Sequence, residues 1–115
     1  DVVSIHLIKT KETENLISKE KLDLLKDNSI VVNTSRGNVI DEEYLIELLK
    51  SKRIFGVGLD VYSNEPPVNT DTYRDINLTT TPHIGASTFE AQLKAGMDTV
   101  ANIKKILSGD KSVEI

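Results

Sequence analysis

The sequence contains no cysteine, which excludes disulfides, zinc–thiolate centres and a thiol nucleophile. No apolar run approaches the ~20 residues that a membrane-spanning helix needs. Net positive charge is missing too. Lys and Arg total 14 against 18 Asp and Glu, a formal charge of −4, and this balance argues against a nucleic-acid or anionic-membrane surface. The N-terminus, Asp1-Val2-Val3-Ser4, has neither the basic start nor the apolar stretch of a signal peptide. The expected location is therefore the cytoplasm. The first residue is not Met and opens directly into an apolar run, so the expectation is a piece cut from a longer chain.

What is present suits one domain. A length of 115 residues, 38% apolar and 28% charged, can bury roughly 65% of the surface exposed by the unfolded chain. Short β-branched runs alternate with helical patterns. Val2 to Ile5 reads as a strand ending at His6, and Ser18 as the cap of a helix with Leu22 and Leu25 on its apolar face. Ile30-Val31-Val32 is a second strand, running into Asn33-Thr34-Ser35-Arg36-Gly37. Asp41 is placed to cap the next helix, with Glu42 and Glu43 in its first turn, where the helix dipole favours negative charge. Tyr44, Leu45, Leu48 and Leu49 form its buried stripe. Ile54 to Val61 reads as a third strand with glycines for close packing, followed by a polar loop from Ser63 to about Asp75. Leu78 to Thr81 is a short fourth strand. Ser87 and Glu90 have capping-box spacing before a long helix from about Thr88 to Leu107, which Gly109 ends. Leu93, Met97 and Val100 on that helix read as core or interface packing.

Strands alternating with helices imply a parallel sheet with right-handed crossovers. Such sheets bind ligands beyond the carboxyl ends of their strands, and there this sequence concentrates its chemistry. His6, Thr34 to Arg36, Asp60 with Glu65, and His83 follow the four strands in turn. Arg36 offers a planar fork for a carboxylate or phosphate, and Gly37 beside it allows a tight turn. His83 can carry a proton near neutral pH, and Glu65 is the nearest carboxylate to fix its tautomer and favour imidazolium. Asp60 can accept from an amide or a hydroxyl. The set describes an acid–base site for a small hydroxy or keto acid. Taken singly, each residue has a plainer reading. Arg36 and Glu65 suit solvated loops, His83 a turn after Thr81-Pro82, Asp60 a loop cap, and His6 a structural hydrogen bond to backbone.

Four ordered blocks carry a family resemblance: Asp1 to His6, Val32 to Glu42, Leu59 to Pro66 and Thr81 to Thr88. Together they resemble the D-isomer-specific 2-hydroxyacid dehydrogenases, in the second half of the NAD-binding domain. The resemblance implies an α/β fold: a parallel-sheet, Rossmann-like half domain with flanking helices and a long C-terminal helix. It implies hydride transfer between NAD and a D-2-hydroxy acid, with a homodimer or other homo-oligomer as the assembly. By resemblance Arg36 holds the substrate carboxylate, His83 is the general acid/base, and Glu65 pairs with His83. Leu7, Thr34, Ser35, Arg36, Asp60, His83, Ile84, Gly85 and Ala86 would line the cofactor, with Asp60 at its nicotinamide end. A non-enzymatic interaction protein resembling the family's co-repressors is the alternative; the intact Arg36, Glu65 and His83 favour the enzyme.

The sequence departs from the family pattern in places. Ile8 and Lys11 stand where the family has prolines. No G-x-G-x-x-G follows a strand, since Gly56-Val57-Gly58 continues into Leu59, Asp60 and Val61. Residues 1–115 are thus expected to be the second half of a dinucleotide-binding domain, lacking the fingerprint half and the substrate domain. Such a half should leave one sheet edge and one face open, and so associate with itself or with the rest of its protein.

Overall fold

The computed structural model describes residues 1–67, 70–110 and 112. Its four strands are β1 (Val2–Ile5), β2 (Ile30–Asn33), β3 (Gly56–Leu59) and β4 (Leu78–Thr80). The helices are α1 (Lys19–Leu22), α2 (Glu42–Lys50) and α3 (Phe89–Leu107), and two short 3-10 turns lie at Gly37–Val39 and Thr70–Tyr73. All strand pairs are parallel, in the order β1-β2-β3-β4. This is the parallel α/β arrangement that the alternating pattern predicts and the Rossmann-like fold that the family resemblance implies, long C-terminal helix included. The chain divides into two compact units, Asp1–His83 and Ile84–Ile115.

In the first unit the register is a straight ladder. Ile5 pairs with Asn33, Asn33 with Leu59 and Leu59 with Thr80, so all four strands end in one row. The core lies on one face of the sheet, where Val31, Val57 and Leu59 meet Leu22 of α1 and Leu45, Leu48 and Leu49 of α2. Full burial of one such side chain contributes about 1.5–3 kcal/mol. On the opposite face Ser4 and Thr79 are exposed and Val32 is half-buried. Val2 and Val3 of β1 are exposed as well.

Helix α2 is built as its sequence directs. Asp41 Oδ1 accepts from the Tyr44 amide at 3.0 Å, Glu42 and Glu43 occupy the first turn, and Lys50 the last. Ile46 joins the buried stripe. Tyr44 is only half-buried; its ring lies under the Lys19 ammonium and its hydroxyl donates to Asp23.

Several expectations need correction. α1 is a single turn: the Ser18 hydroxyl donates to the Glu20 carboxylate instead of capping an amide, and Leu25 packs on the core from beyond the helix. β3 is shorter than Ile54 to Val61, because the Ile54 amide turns back to the Leu48 carbonyl at the end of α2. The cap of α3 is Thr88, whose Oγ1 accepts from the Ala91 amide at 3.1 Å; the Ser87 amide is instead used in a turn onto the Ile84 carbonyl. Gly109 ends α3 as expected, at φ 78°. Leu93, Met97 and Val100 do line one stripe of α3, yet all three are exposed, so they are not core residues.

Candidate active site

The site starts from the common row of strand ends. Beyond β2 the chain turns around Asn33, which is fully buried. Asn33 Oδ1 accepts from the Ser35 amide at 3.1 Å and the Ser35 hydroxyl at 2.9 Å, while its Nδ2 donates to the Arg36 carbonyl at 2.8 Å. One buried amide therefore shapes the whole Thr34–Ser35–Arg36 turn. Arg36 is exposed, and its Nη1 donates to the Ser35 carbonyl at 2.7 Å. Among the described residues it forms no ion pair with a carboxylate, which leaves its charge available to an external anion.

Gly37 is needed for a reason other than a tight turn. Its φ lies outside the left-handed region, where Gly109 is the one glycine found among the described residues. A methyl group on Gly37 would instead collide with the backbone at Tyr62 and Ser63. The turn after β2 thus presses directly on the loop after β3.

That loop carries the carboxylates. Asp60 is 4% exposed; its amide donates to the Asn33 carbonyl at 3.0 Å, and its Oδ1 accepts from Thr81 Oγ1 at 2.5 Å. Tyr62, also buried, donates its hydroxyl to the Thr81 carbonyl at 2.7 Å, tying the loop to the end of β4. Burial pushes the Tyr62 phenol up. The Tyr62 amide donates to Glu65 Oε1 at 3.1 Å, and Glu65 Oε2 lies 2.7 Å from His83 Nδ1. The His83 bond and then the Tyr62 amide hold the Glu65 carboxyl below the ordinary Glu value. His83 itself has φ 53°, a left-handed conformation that His tolerates better than most residues.

The pairing has a definite chemical consequence. An ionised carboxylate only accepts hydrogen bonds, so Glu65 places a proton on His83 Nδ1 and leaves Nε2 to exchange protons with a ligand. The imidazole is 48% exposed and the Glu65 side chain 38%, so both remain reachable.

The structure therefore brings together Glu65 with His83, and Asp60 with Thr81. Thr34 is exposed and Ser35 half-buried in the Asn33 turn, and Leu7 packs on the core just past β1. His6 is exposed, and its Nε2 meets the Ser4 hydroxyl at 2.8 Å, a side-chain contact where a backbone one was expected. Ile84, Gly85 and Ala86 follow His83 in the chain and belong to the second unit. Sequence reasoning missed Asn33, Tyr62 and Thr81 as site-shaping residues. The available signal was an Asn closing an otherwise β-branched strand, where a buried amide must find partners.

A parallel α/β sheet with an arginine, a carboxylate–histidine pair and a buried aspartate along its carboxyl edge has its chemistry where open α/β folds bind their ligands. Within that fold class residues 1–85 match the D-isomer specific 2-hydroxyacid dehydrogenase, NAD binding domain, and the chain belongs to that family. It is 43% identical over 110 residues to a D-3-phosphoglycerate dehydrogenase of Archaeoglobus fulgidus, covering 95% of this chain and 21% of the relative. It is 42% identical to a hydroxypyruvate reductase of Thermotoga maritima, covering 93% and 36%. Among solved structures, D-lactate dehydrogenase from Aquifex aeolicus complexed with NAD and lactic acid superposes with a TM-score of 0.86 at 29% identity, covering 96% of this chain and 38% of that one. The chain thus spans between a fifth and two fifths of the length of these proteins.

Proposed function

We propose that these residues are the acid–base half of an NAD-dependent D-2-hydroxyacid dehydrogenase, whose preferred substrate is 3-phosphoglycerate, oxidised to 3-phosphohydroxypyruvate as the first step of serine synthesis. The observation that carries the reading is the Glu65–His83 pair, 2.7 Å apart, past the ends of β3 and β4. In oxidation, His83 Nε2 takes the proton of the substrate hydroxyl; in reduction it returns one to the carbonyl oxygen. Arg36 grips the substrate carboxylate through its planar fork.

The edge of the sheet suits the nicotinamide end of the cofactor. Thr34, Ser35 and Arg36 present a turn of polar atoms, and Asp60 is a buried carboxylate already aligned by Thr81. Leu7 supplies an apolar surface, and Ile84, Gly85 and Ala86 complete the lining proposed from the family pattern. Bound NAD supplies the hydride acceptor. No residue of this chain forms the G-x-G-x-x-G turn that grips a pyrophosphate, so that grip falls to another part of the protein. The domain assignment follows: residues 1–115 are the second half of the dinucleotide-binding domain. Assembly as a homodimer or other homo-oligomer fits the exposed apolar stripe of α3.

The substrate preference rests on His83 to Thr88 followed by Phe89-Glu90-Ala91-Gln92, which resembles 3-phosphoglycerate dehydrogenase more than the hydroxypyruvate, glyoxylate or D-lactate enzymes. The test is steady-state kinetics of the full-length protein on these four substrate classes, with His83→Ala and Arg36→Lys. We expect kcat to fall about 10²–10⁴-fold in His83→Ala. Arg36→Lys should chiefly raise KM, because an ammonium lacks the bidentate fork. Near-normal kcat in His83→Ala would remove the acid–base role, and a higher kcat/KM on an unphosphorylated hydroxy acid would remove the substrate assignment.

A further inference from the structure

Glu42 takes no part in the acid–base pair, yet both of its carboxylate oxygens are in use. Oε2 accepts from the Ser63 amide at 2.6 Å, and Oε1 from the Tyr73 hydroxyl at 2.9 Å. The donors stand 21 and 31 residues further along the chain, on either side of the stretch containing Glu65. Its neighbour Glu43 occupies the same first turn of α2 but is exposed. A favourable helix dipole would serve both residues equally, so it does not account for the specific contacts of Glu42.

The contact with Ser63 falls on a particular peptide unit. The Tyr62–Ser63 peptide has its carbonyl against Gly37 and its N–H on Glu42. The preceding amide, that of Tyr62, donates to Glu65 Oε1. Rotating the Tyr62–Ser63 peptide would therefore move the strand of backbone from which Glu65 hangs. Gly37 limits this peptide on one side by contact, and Glu42 holds it on the other by a charge-assisted hydrogen bond, roughly twice the strength of a neutral one. Tyr73 anchors the same carboxylate to the core, against which its ring packs. Burial, then the Glu42 bond, pushes its phenol well up, so it remains a donor throughout the neutral range.

We propose that Glu42 is a positioning residue for the proton-transfer pair: by gripping Ser63 and Tyr73 it fixes the backbone that aims Glu65 at His83. The proposal rests on the acid–base reading of Glu65 and His83 given above. The side-chain bonds of Glu42 go to Ser63 and Tyr73, and those of the pair run between Glu65 and His83, so Glu42 acts through the backbone. Its loss should blunt proton transfer while leaving the Arg36 clamp, built on Asn33, in place.

The test uses the full-length protein and two readouts, steady-state kinetics and the proton resonance of His83 Nδ1–H, which moves far downfield only while the hydrogen bond to Glu65 persists. Glu42→Ala should lower kcat about 10- to 100-fold, the scale of a small misplacement of a reacting group, with KM for the hydroxy acid little changed and the downfield signal lost. Glu42→Gln should restore most of both, since its oxygen can accept from Ser63 and its amide nitrogen can donate to the Tyr73 oxygen. Glu43→Ala should match the parent. If Glu42→Ala does not fold, Tyr73→Phe replaces it and should show a several-fold lower kcat with a weakened signal. Parent-like kcat and signal in Glu42→Ala, or in Tyr73→Phe when that replaces it, would overturn the proposal. So would a Glu42→Gln variant as impaired as Glu42→Ala. Failure of the underlying reading is a separate result, because His83→Ala would then keep its kcat whatever Glu42 does.

Discussion

Gly37 and Tyr62 approach so closely that a methyl group on Gly37 would stand 1.8 Å from the Tyr62 carbonyl oxygen and 2.1 Å from its carbonyl carbon. Both obstacles are backbone, so no side-chain rotation can relieve the clash. This one contact sets the distance between the turn bearing Arg36 and the loop bearing Glu65.

Gly37→Ala should therefore cost stability and activity together. Overpacking of this kind typically costs about 1–3 kcal/mol, and here the relief must come from moving one of the two loops. We expect a lower urea midpoint with an unchanged m-value, and a fall in kcat/KM that exceeds the fall in folded fraction. Parent-like midpoint and kcat/KM would show that the loops move apart freely.

Asn33 gives a second expectation. Asn33→Ala leaves the Ser35 amide and the Arg36 carbonyl without their side-chain partner. A buried polar group stranded in this way costs about 1–3 kcal/mol. The Arg36 turn should loosen, so KM for the hydroxy acid should rise more than kcat falls. Equilibrium unfolding and substrate titration check the two halves separately.

Glu65 should titrate below the ordinary Glu value, chiefly because of its bond with His83. The sign follows from a depressed carboxylate: the pairing contributes stability at pH above the ordinary Glu value and loses it as pH falls through the lowered one. His83→Ala should move the Glu65 titration back up toward the ordinary value, leaving only the Tyr62 amide to depress it. Carboxyl-carbon NMR on the parent and variant measures both positions. A Glu65 titration that does not move in His83→Ala would mean that the two side chains do not pair in solution.

At the start of α3 the hydroxyls of Ser87 and Thr88 should behave differently. Thr88→Ala removes the oxygen that accepts from the Ala91 amide and should cost the helix about 1 kcal/mol. Ser87→Ala should be close to neutral. Helicity by circular dichroism and amide exchange at Phe89, Glu90 and Ala91 distinguish the two.

Much of this was legible in the sequence, for identifiable reasons. Strand positions followed from β-branched runs, and α2 from Asp41 with its two following glutamates, because local preferences agreed with the tertiary fold. Arg36, Glu65 and His83 could be picked out because the topology rule puts ligand-binding groups at strand ends. The cap of α3 was misread by one residue, since Ser87 and Thr88 are chemically equivalent caps and the choice falls to a backbone turn onto Ile84. The burden on Gly37 could not be read locally either. It depends on Tyr62, which only the pairing of β2 with β3 brings near. Glu42 was hidden in the same way, its partners standing 21 and 31 residues along the chain, whereas Asn33, bonded to Ser35 and Arg36 two and three residues on, carried a local signal.

Strand β4 has three residues and pairs with β3 alone among the described strands, at the edge of the sheet. Two of its three side chains are exposed. Short edge strands with few buried contacts open at much lower free energy than the centre of a sheet. His83, the proposed proton carrier, hangs just beyond this strand, held back by Tyr62 on the Thr81 carbonyl and by Glu65 on its own ring. The Glu65–His83 pair is thus assembled against a short edge strand, whereas the Arg36 turn grows from β2, inside the sheet. Partial opening would part His83 from Glu65 first and leave the Arg36 turn, held by Asn33, standing.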